Sequence, residues 1–463
     1  MKAPRAKIIL TVLTGLLLLA AGSASAQYSF DWTFEDQGAV KDMFILEDFH
    51  TFFQNTSALE DSFKVTLVKD MPQFWQATIC EGPVCFPPDV TEHRFSLAPG
   101  ASTTLDFAIT AAVEEGKGTS TVTVESLNDP AVTETNSFSI ITSGLDVLTV
   151  DADGGADYQT FYMDAINAAG RTTADWTRSY MGTLTTAEMA NFTAVVWLGG
   201  TNSSALDVDD LTGLADYVYN DGNLFISGQN LANDFCNPGS GTYTPEAHAW
   251  FQDVLGTDFL GNDSGSSTVD GVLNDPITSG FSFAINGGDG ANNNTSPDEV
   301  TALSNGAIAL TYATGPTAGL RGAYGDGRTF FAAFGFEGVS TASMRNDLMT
   351  AILDWITNPF TAVPGDVIAP LVSRPYVTPN PFNPQTSLKF EVGGDQPVDS
   401  AVVIYDLRGH AVRDLYRGVL EPGLRTMVWN GRDNGGRSLA SGIYLAQVKV
   451  SDETRTVKMT LAR

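Results

Sequence analysis

Histidine, cysteine and lysine are all scarce in this chain, and each shortage narrows what it can do. Its 463 residues include four histidines and three cysteines, and no lysine occurs between Lys117 and Lys389. A mechanism that needs an imidazole base in the middle of the chain has only His248 to draw on. Lysine and arginine together number 25 against 54 aspartates and glutamates, a formal charge of −29, which excludes nucleic acid and an anionic membrane surface as natural partners. Long apolar runs are also missing. The one run of note, 8–21, falls short of the 18 to 20 or so residues that span a bilayer, and no later segment is long enough. What the chain has in quantity is glycine (45) and proline (21), with 43% hydrophobic and 10% aromatic residues: enough for packed cores, and a bias toward turn-rich β structure.

The first 26 residues read as a secretory signal peptide. Lys2, Arg5 and Lys7 precede the apolar run, and Ala24, Ser25 and Ala26 form a small-x-small cleavage site. The charge of the remainder is uneven. Residues 365–463 carry 12 basic and 10 acidic residues, whereas 27–364 carry 10 and 44. This break coincides with a Pro-rich segment, 361–384, that reads as a linker able to form neither helix nor central strand.

Three modules follow. Residues 27–143 hold β-branched and aromatic runs of period two (FKVTLVKD, STTLDFAIT, STVTVES, NSFSIIT) between PG, GKG and NDP turns, which predicts an Ig-like β-sandwich. Cys80 and Cys85 sit close together in it and are expected to form a loop disulfide; a metal site would need more ligands than these thiols and His93. Residues 144–360 switch to strands alternating with helices. DVLTVDAD, TAVVWLGG and NLFISG are continuous apolar strands, while DYQTFYMDAINAAG and DVDDLTGLADYVYNDG are amphipathic helices stopped by Gly170 and Gly222. The alternation predicts a parallel sheet covered on both faces, with ligands at the carboxyl ends of its strands. Residues 385–463 return to about seven short strands, a second Ig-like sandwich.

Two resemblances extend this reading. PNPFNPQT (379–386), VVIYDLRGHAVRDL (402–415), VWNGRDNGGRSLASGIYLAQV (428–448) and the closing TRTVKMTLAR resemble the C-terminal sorting domains of type IX secretion cargo and the related Ig-like fold of flagellar hook-capping proteins. That resemblance implies outer-membrane translocation, with the secretion machinery as partner and a secreted or cell-surface destination. The middle module resembles the class I glutamine-amidotransferase-like fold, a flavodoxin-type α/β arrangement, through VDADGGADYQTFYMDAINAAG, VVWLGG, DGNLFISGQN and FFAAFGFEG. Active members of that family place a nucleophilic cysteine after the strand corresponding to NLFIS; this chain has Ser227, Gly228, Gln229 and Asn230 there.

Ser227, Cys236 and His248 are the residues that catalysis would have to use. Ser227 lacks the G-x-S-x-G context, and Cys236 lies beyond the strand in NDFCNPGSG, so an unpaired loop thiol and a helix histidine compete with a catalytic pair. Asp151, Asp153 and Asp157, interrupted by Gly154 and Gly155, form an acidic loop that could wrap Ca²⁺ or simply be a solvated helix start. The Gly- and Asn-rich stretch 286–299 could hold a cation or sugar but lacks the GK[ST] of a phosphate loop. The reading favoured is a secreted, non-catalytic binding or structural protein facing a surface glycan or protein; the alternative is a secreted hydrolase of peptidase or amidase type.

Overall fold

The computed structural model describes residues 27–357, 372, 375–378, 380–393, 396–406, 408–451 and 453–462. The expected signal peptide and most of the expected linker lie outside them.

The first module is a sandwich of two sheets. One runs Phe30–Phe34, Thr51–Asn55, Ser102–Thr110, Gln76–Glu81, Val84–Cys85, with Leu46–Phe49 also paired to Ser102–Thr110; the other runs Gly38–Lys41, Thr133–Thr142, Lys117–Ser126, Asp61–Asp70, Glu92–Leu97. The central strand Lys117–Ser126 alternates buried and half-buried residues along its whole length, the mark of a strand with one face on the core. Between the sheets pack Trp32, Phe53, Phe63, Phe107 and Phe138, several of them edge to face. Cys80 and Cys85 face each other across the hairpin with their sulfurs 2.01 Å apart.

The middle module is built on an 11-stranded sheet that is mixed, not wholly parallel as its sequence pattern implies. Its parallel half contains five strands: Thr173–Thr177, Val147–Asp151, Ala194–Gly200, Asn223–Gly228 and Gly327–Ala332, in that spatial order. Beyond Gly327–Ala332 the pairing turns antiparallel through Thr317–Tyr324, Ala307–Tyr312 and Thr268–Gly271. Both faces of the parallel half are covered. Along Ala194–Gly200, Val195 and Trp197 join a core with helices Val208–Tyr219 and Pro245–Val254, while Val196 and Leu198 join the opposite core with helices Gln159–Ala168 and Ala342–Thr357. Burial on both sides is why these strands read as unbroken apolar runs.

Local signals set the helix ends. Asp207 caps Val208–Tyr219 in a reciprocal box with Asp210, whose carboxylate also takes a 2.9 Å ion pair from Arg178. At the far end the left-handed residue is Asp221 (φ 67°), not Gly222. Gly222 is required for another reason: a Cβ there would lie 2.5 Å from the Tyr217 carbonyl oxygen.

The first two modules touch through Lys117, which reaches Asp175 at 2.6 Å, and through a 2.9 Å bond between Ser139 and Tyr180. The C-terminal module has its own core around Phe390, Ile404, Trp429 and Val448, between a three-stranded and a four-stranded sheet. It starts earlier than residue 385: Tyr376–Thr378 pairs with Thr386–Val392, and Phe382, 2% exposed, bridges to Leu461. A proline-rich stretch suits the edge position that Tyr376–Thr378 occupies.

Trp197 is 1% exposed and its indole N–H donates to the Ala205 carbonyl. Trp197→Ala should therefore cost about 3 to 5 kcal/mol of middle-module stability, read as a lowered midpoint in urea unfolding.

Candidate functional site

In a parallel sheet of this order the strands diverge on either side of Val147–Asp151 and Ala194–Gly200, and the crevice outside their carboxyl ends is the usual ligand position. Asp151 and Asp153 stand there, 6% and 4% exposed. The loop between them and the next helix is tied by Asp153, whose Oδ1 accepts the backbone N–H groups of Gly155 and Ala156 and whose Oδ2 accepts that of Tyr158. Asn202 donates to the Ala152 carbonyl from the neighbouring strand end. Gly200 sits so close that a Cβ would meet the Asp153 Cβ and the Tyr158 ring at 3.0 Å.

At the loop expected to hold Ca²⁺, both Asp153 oxygens accept backbone N–H groups, Asp157 is exposed at φ 52°, and the three carboxylates do not come together as one group. Asp151 remains the group out of its ordinary range: burial first, then the Asp153 charge, pushes its carboxyl up to about 7.

The neighbouring strand ends are closed over. Ser227 is fully buried; its Oγ donates to the Phe334 carbonyl, accepts the Phe336 N–H, and lies 3.0 Å from the Tyr162 hydroxyl. Tyr162 in turn donates to Glu337, 2.7 Å away and also fully buried, and Asn293 donates to the other oxygen of Glu337 at 2.6 Å. The segment 286–299 forms the cover. Gln229 donates to the Asn293 carbonyl and accepts from Thr295 and Ser296, and Asn294 bonds Gly335 through both its amide groups. Ser227 thus has no base, no exposure and no free hydrogen-bonding direction, which removes it as a nucleophile. Tyr162, Gln229, Asn293 and Glu337, which complete this network, lie in DYQTFYMDAINAAG, DGNLFISGQN, the Asn-rich run and FFAAFGFEG, but nothing in those segments marks them individually.

Cys236 and His248, by contrast, are brought together, and with an acid. Helix Leu231–Cys236 ends on the thiol, helix Pro245–Val254 carries His248, and strand Thr257–Gly261 carries Asp258. One ligand atom from each lies within 4.8 Å of the other two. His248 Nε2 is 2.8 Å from Asp258 Oδ1, and Gln252, one helical turn on, donates to Asp258 Oδ2 at 2.8 Å. The thiol is 2% exposed, and burial, followed by the charges of Asp258 and Asp298, drives its pKa far up. A nucleophilic cysteine needs the opposite shift.

Among family models, the FlgD Ig-like domain matches residues 378–454. No curated protein matches. Solved structures with similarity include the N-terminal domain of PorA, at 14% identity, covering 26% of this chain and 98% of that one with a TM-score of 0.19. PorZ, described as an essential bacterial surface component of the type-IX secretion system of Porphyromonas gingivalis, is 25% identical over 19% of this chain and 11% of its own, TM-score 0.15. The exo-beta-1,4-mannosidase Op5Man5 from Opitutaceae bacterium strain TAV5 shares 10% identity over 48% of this chain and 37% of its own, TM-score 0.30.

Asp298 supplies a pH test. It is fully buried, its Oδ2 accepts the Asn233 N–H, its Oδ1 has no hydrogen-bond partner, and burial pushes its carboxyl up to about 8. The folded chain therefore holds this proton over a range, from the ordinary 3.8 to about 8, in which the unfolded chain has released it. Stability from this group is complete below that window and declines as pH rises through it, by up to about 1.4 kcal/mol per pH unit, then levels. Asp298→Asn keeps the acceptor and removes the charge. Its melting temperature should change less between about pH 5 and pH 8 than that of the unaltered chain; an equal or larger change would mean Asp298 is not held neutral.

Proposed function

We propose that the chain is an exported, surface-directed protein of non-catalytic, binding or structural character, whose C-terminal module serves as its export address. The observation that carries this is the match of residues 378–454 to the FlgD Ig-like domain, together with the order of motifs through which the same segment resembles type IX sorting domains. A separate core and a near-neutral charge suit a part read by a receptor independently of the rest. The basic, apolar, small-residue pattern of residues 1–26 supports entry into the same route as a signal peptide.

For the middle module, the spatial order of the five parallel strands is 2-1-3-4-5 counted along the chain, which is the flavodoxin-type order. This supports a doubly wound, amidotransferase-like ancestry for the parallel half, with an antiparallel extension added. The absence of catalysis in that lineage's position is supported by Ser227 being buried and by segment 286–299 occupying the strand ends. The first sandwich, by its two-sheet packing, is consistent with an Ig-like module that presents the middle one. A surface glycan or protein remains the partner class in this reading.

The hydrolase reading keeps one observation in its favour, the grouping of Cys236, His248 and Asp258. Burial of the thiol argues against it. The Cys236→Ala chain assayed on peptide and amide substrates should match the unaltered chain; loss of a measurable activity in the variant would install the hydrolase instead.

The address is tested by deleting residues 376–463 and fractionating cells that own such a secretion system. The complete chain should reach the surface or medium and the truncated chain should stay in the periplasm. Export of the truncated chain, or a cytoplasmic complete chain, would overturn the proposal.

A further inference from the structure

Three consecutive elements of the middle module converge on a donor set whose chemistry is specific. We propose that Cys236, His248 and Asp258 bind one zinc-class divalent ion, through the thiolate, an imidazole nitrogen and a carboxylate oxygen, with water in the fourth position.

The argument begins with the mixture of ligands. A thiolate and an imidazole suit borderline-soft ions such as Zn²⁺ or Co²⁺, whereas Ca²⁺ and Mg²⁺ want oxygen alone. The set of one thiolate and one carboxylate carries two negative charges, which a divalent ion cancels. The distances also suit it. The three ligand atoms lie within 4.8 Å of one another, and bond lengths of about 2.0 to 2.3 Å place the ligands of a tetrahedral ion roughly 3.3 to 3.7 Å apart. Closing the site takes about 1 Å of side-chain adjustment and exchange of the 2.8 Å His248–Asp258 contact for two bonds to the ion. The thiol proton leaves to solvent as the ion binds.

The surroundings are those of a held ligand set. The Phe259 backbone N–H donates to Asp258 Oδ1 at 2.8 Å and steadies that ligand. Gln252 fixes the other Asp258 oxygen and lies 3.1 Å from His248 Nε2. Burial across the set is graded: Cys236 is 2% exposed, while the His248 and Asp258 side chains are 24% and 28% exposed. The pairing of Cys80 with Cys85 leaves Cys236 as a free buried thiol with no disulfide role. The ion would staple two short helices to strand Thr257–Gly261 in a part of the chain with no lysine.

The test is titration of the chelator-treated, dialysed full chain with Co²⁺. One equivalent should bind with a thiolate-to-cobalt charge-transfer band and the intense visible bands of tetrahedral geometry, and Zn²⁺ should bleach both. Cys236→Ser should abolish the charge-transfer band. Since Cys236 is buried and that variant can fail to fold, His248→Ala and Asp258→Asn carry the same test at partly exposed positions. Each should lose the Zn²⁺-dependent rise in melting temperature seen in the unaltered chain and weaken Zn²⁺ binding at least about tenfold. Absence of the charge-transfer band in the unaltered chain, or undiminished Zn²⁺ binding in both variants, would overturn the proposal.

Discussion

A shortage of positive charge governs the middle module. Residues 144–360 contain five arginines, no lysine and 26 carboxylates. Every one of the five arginines is committed. Arg178 holds Asp207 and Asp210, Arg321 holds Asp275, Arg345 holds Asp289, and Arg171 leans on Asp354. Arg328 lies over the Trp355 ring and donates to its carbonyl. Burying an ionised carboxylate without a partner is prohibitively costly, so the acids left inside must be handled by other means. Three are visible. Asp153 is satisfied by backbone N–H groups, Glu337 by Tyr162 and Asn293, and Asp151 and Asp298 by a carboxyl pushed toward its neutral form.

That constraint explains what covers the strand ends. An acidic crevice without cations cannot stay open to a ligand and also keep Glu337 and Ser227 buried, because each would need its own donors. Asn293 of segment 286–299 and Tyr162 supply them to Glu337, and the backbone at Phe336 supplies one to Ser227; none of these groups carries a charge, so they add nothing to the imbalance. The asparagines of that segment are not a generic surface loop: Asn293 serves Glu337, and Asn294 bonds Gly335 through both ends of its amide. The same polar network that satisfies the interior covers the carboxyl ends of Asn223–Gly228 and Gly327–Ala332. The cluster of Cys236, His248 and Asp258 lies outside that network.

How much of this the sequence carried depends on whether the physics is local. Val147–Asp151, Ala194–Gly200 and Asn223–Gly228 were legible because burial on both faces demands unbroken apolar runs. The antiparallel extension was not. Strands such as Thr268–Gly271 and Ser282–Ala284 have four and three residues, and their pairing is set by contacts more than ten residues apart. Gly222 was recognisable as a helix stop, yet its cause, a close approach to Tyr217, depends on three-dimensional proximity and not on the backbone angle the rule assumes. At the site, Cys236 and His248 stood out by rarity, while Asp258 is one carboxylate among 26 and nothing nearby in sequence marks it. Ser227 was placed correctly at a strand end, but its burial goes with bonds to Tyr162, Phe334 and Phe336, 65 or more residues away in the chain.

The three modules differ because their obligations differ. The C-terminal module has 12 basic and 10 acidic residues from 365 onward, so its charged groups can pair locally, as Arg417 does with Asp414 and Arg437 with Asp433. Such exposed pairs add little stability. Its stability comes from a self-contained core in which Trp429 packs edge-on to Tyr444 and tilted against Phe382. A module that folds on its own apolar contacts and carries almost no net charge can be joined to a strongly acidic partner without inheriting its repulsion. The buried acids of the middle module, by contrast, rely on uncharged donors and on protonation, and Lys117, the last lysine before Lys389, is spent joining the first sandwich to the middle sheet. The split in charge therefore separates one near-neutral module with its own core from two acidic ones.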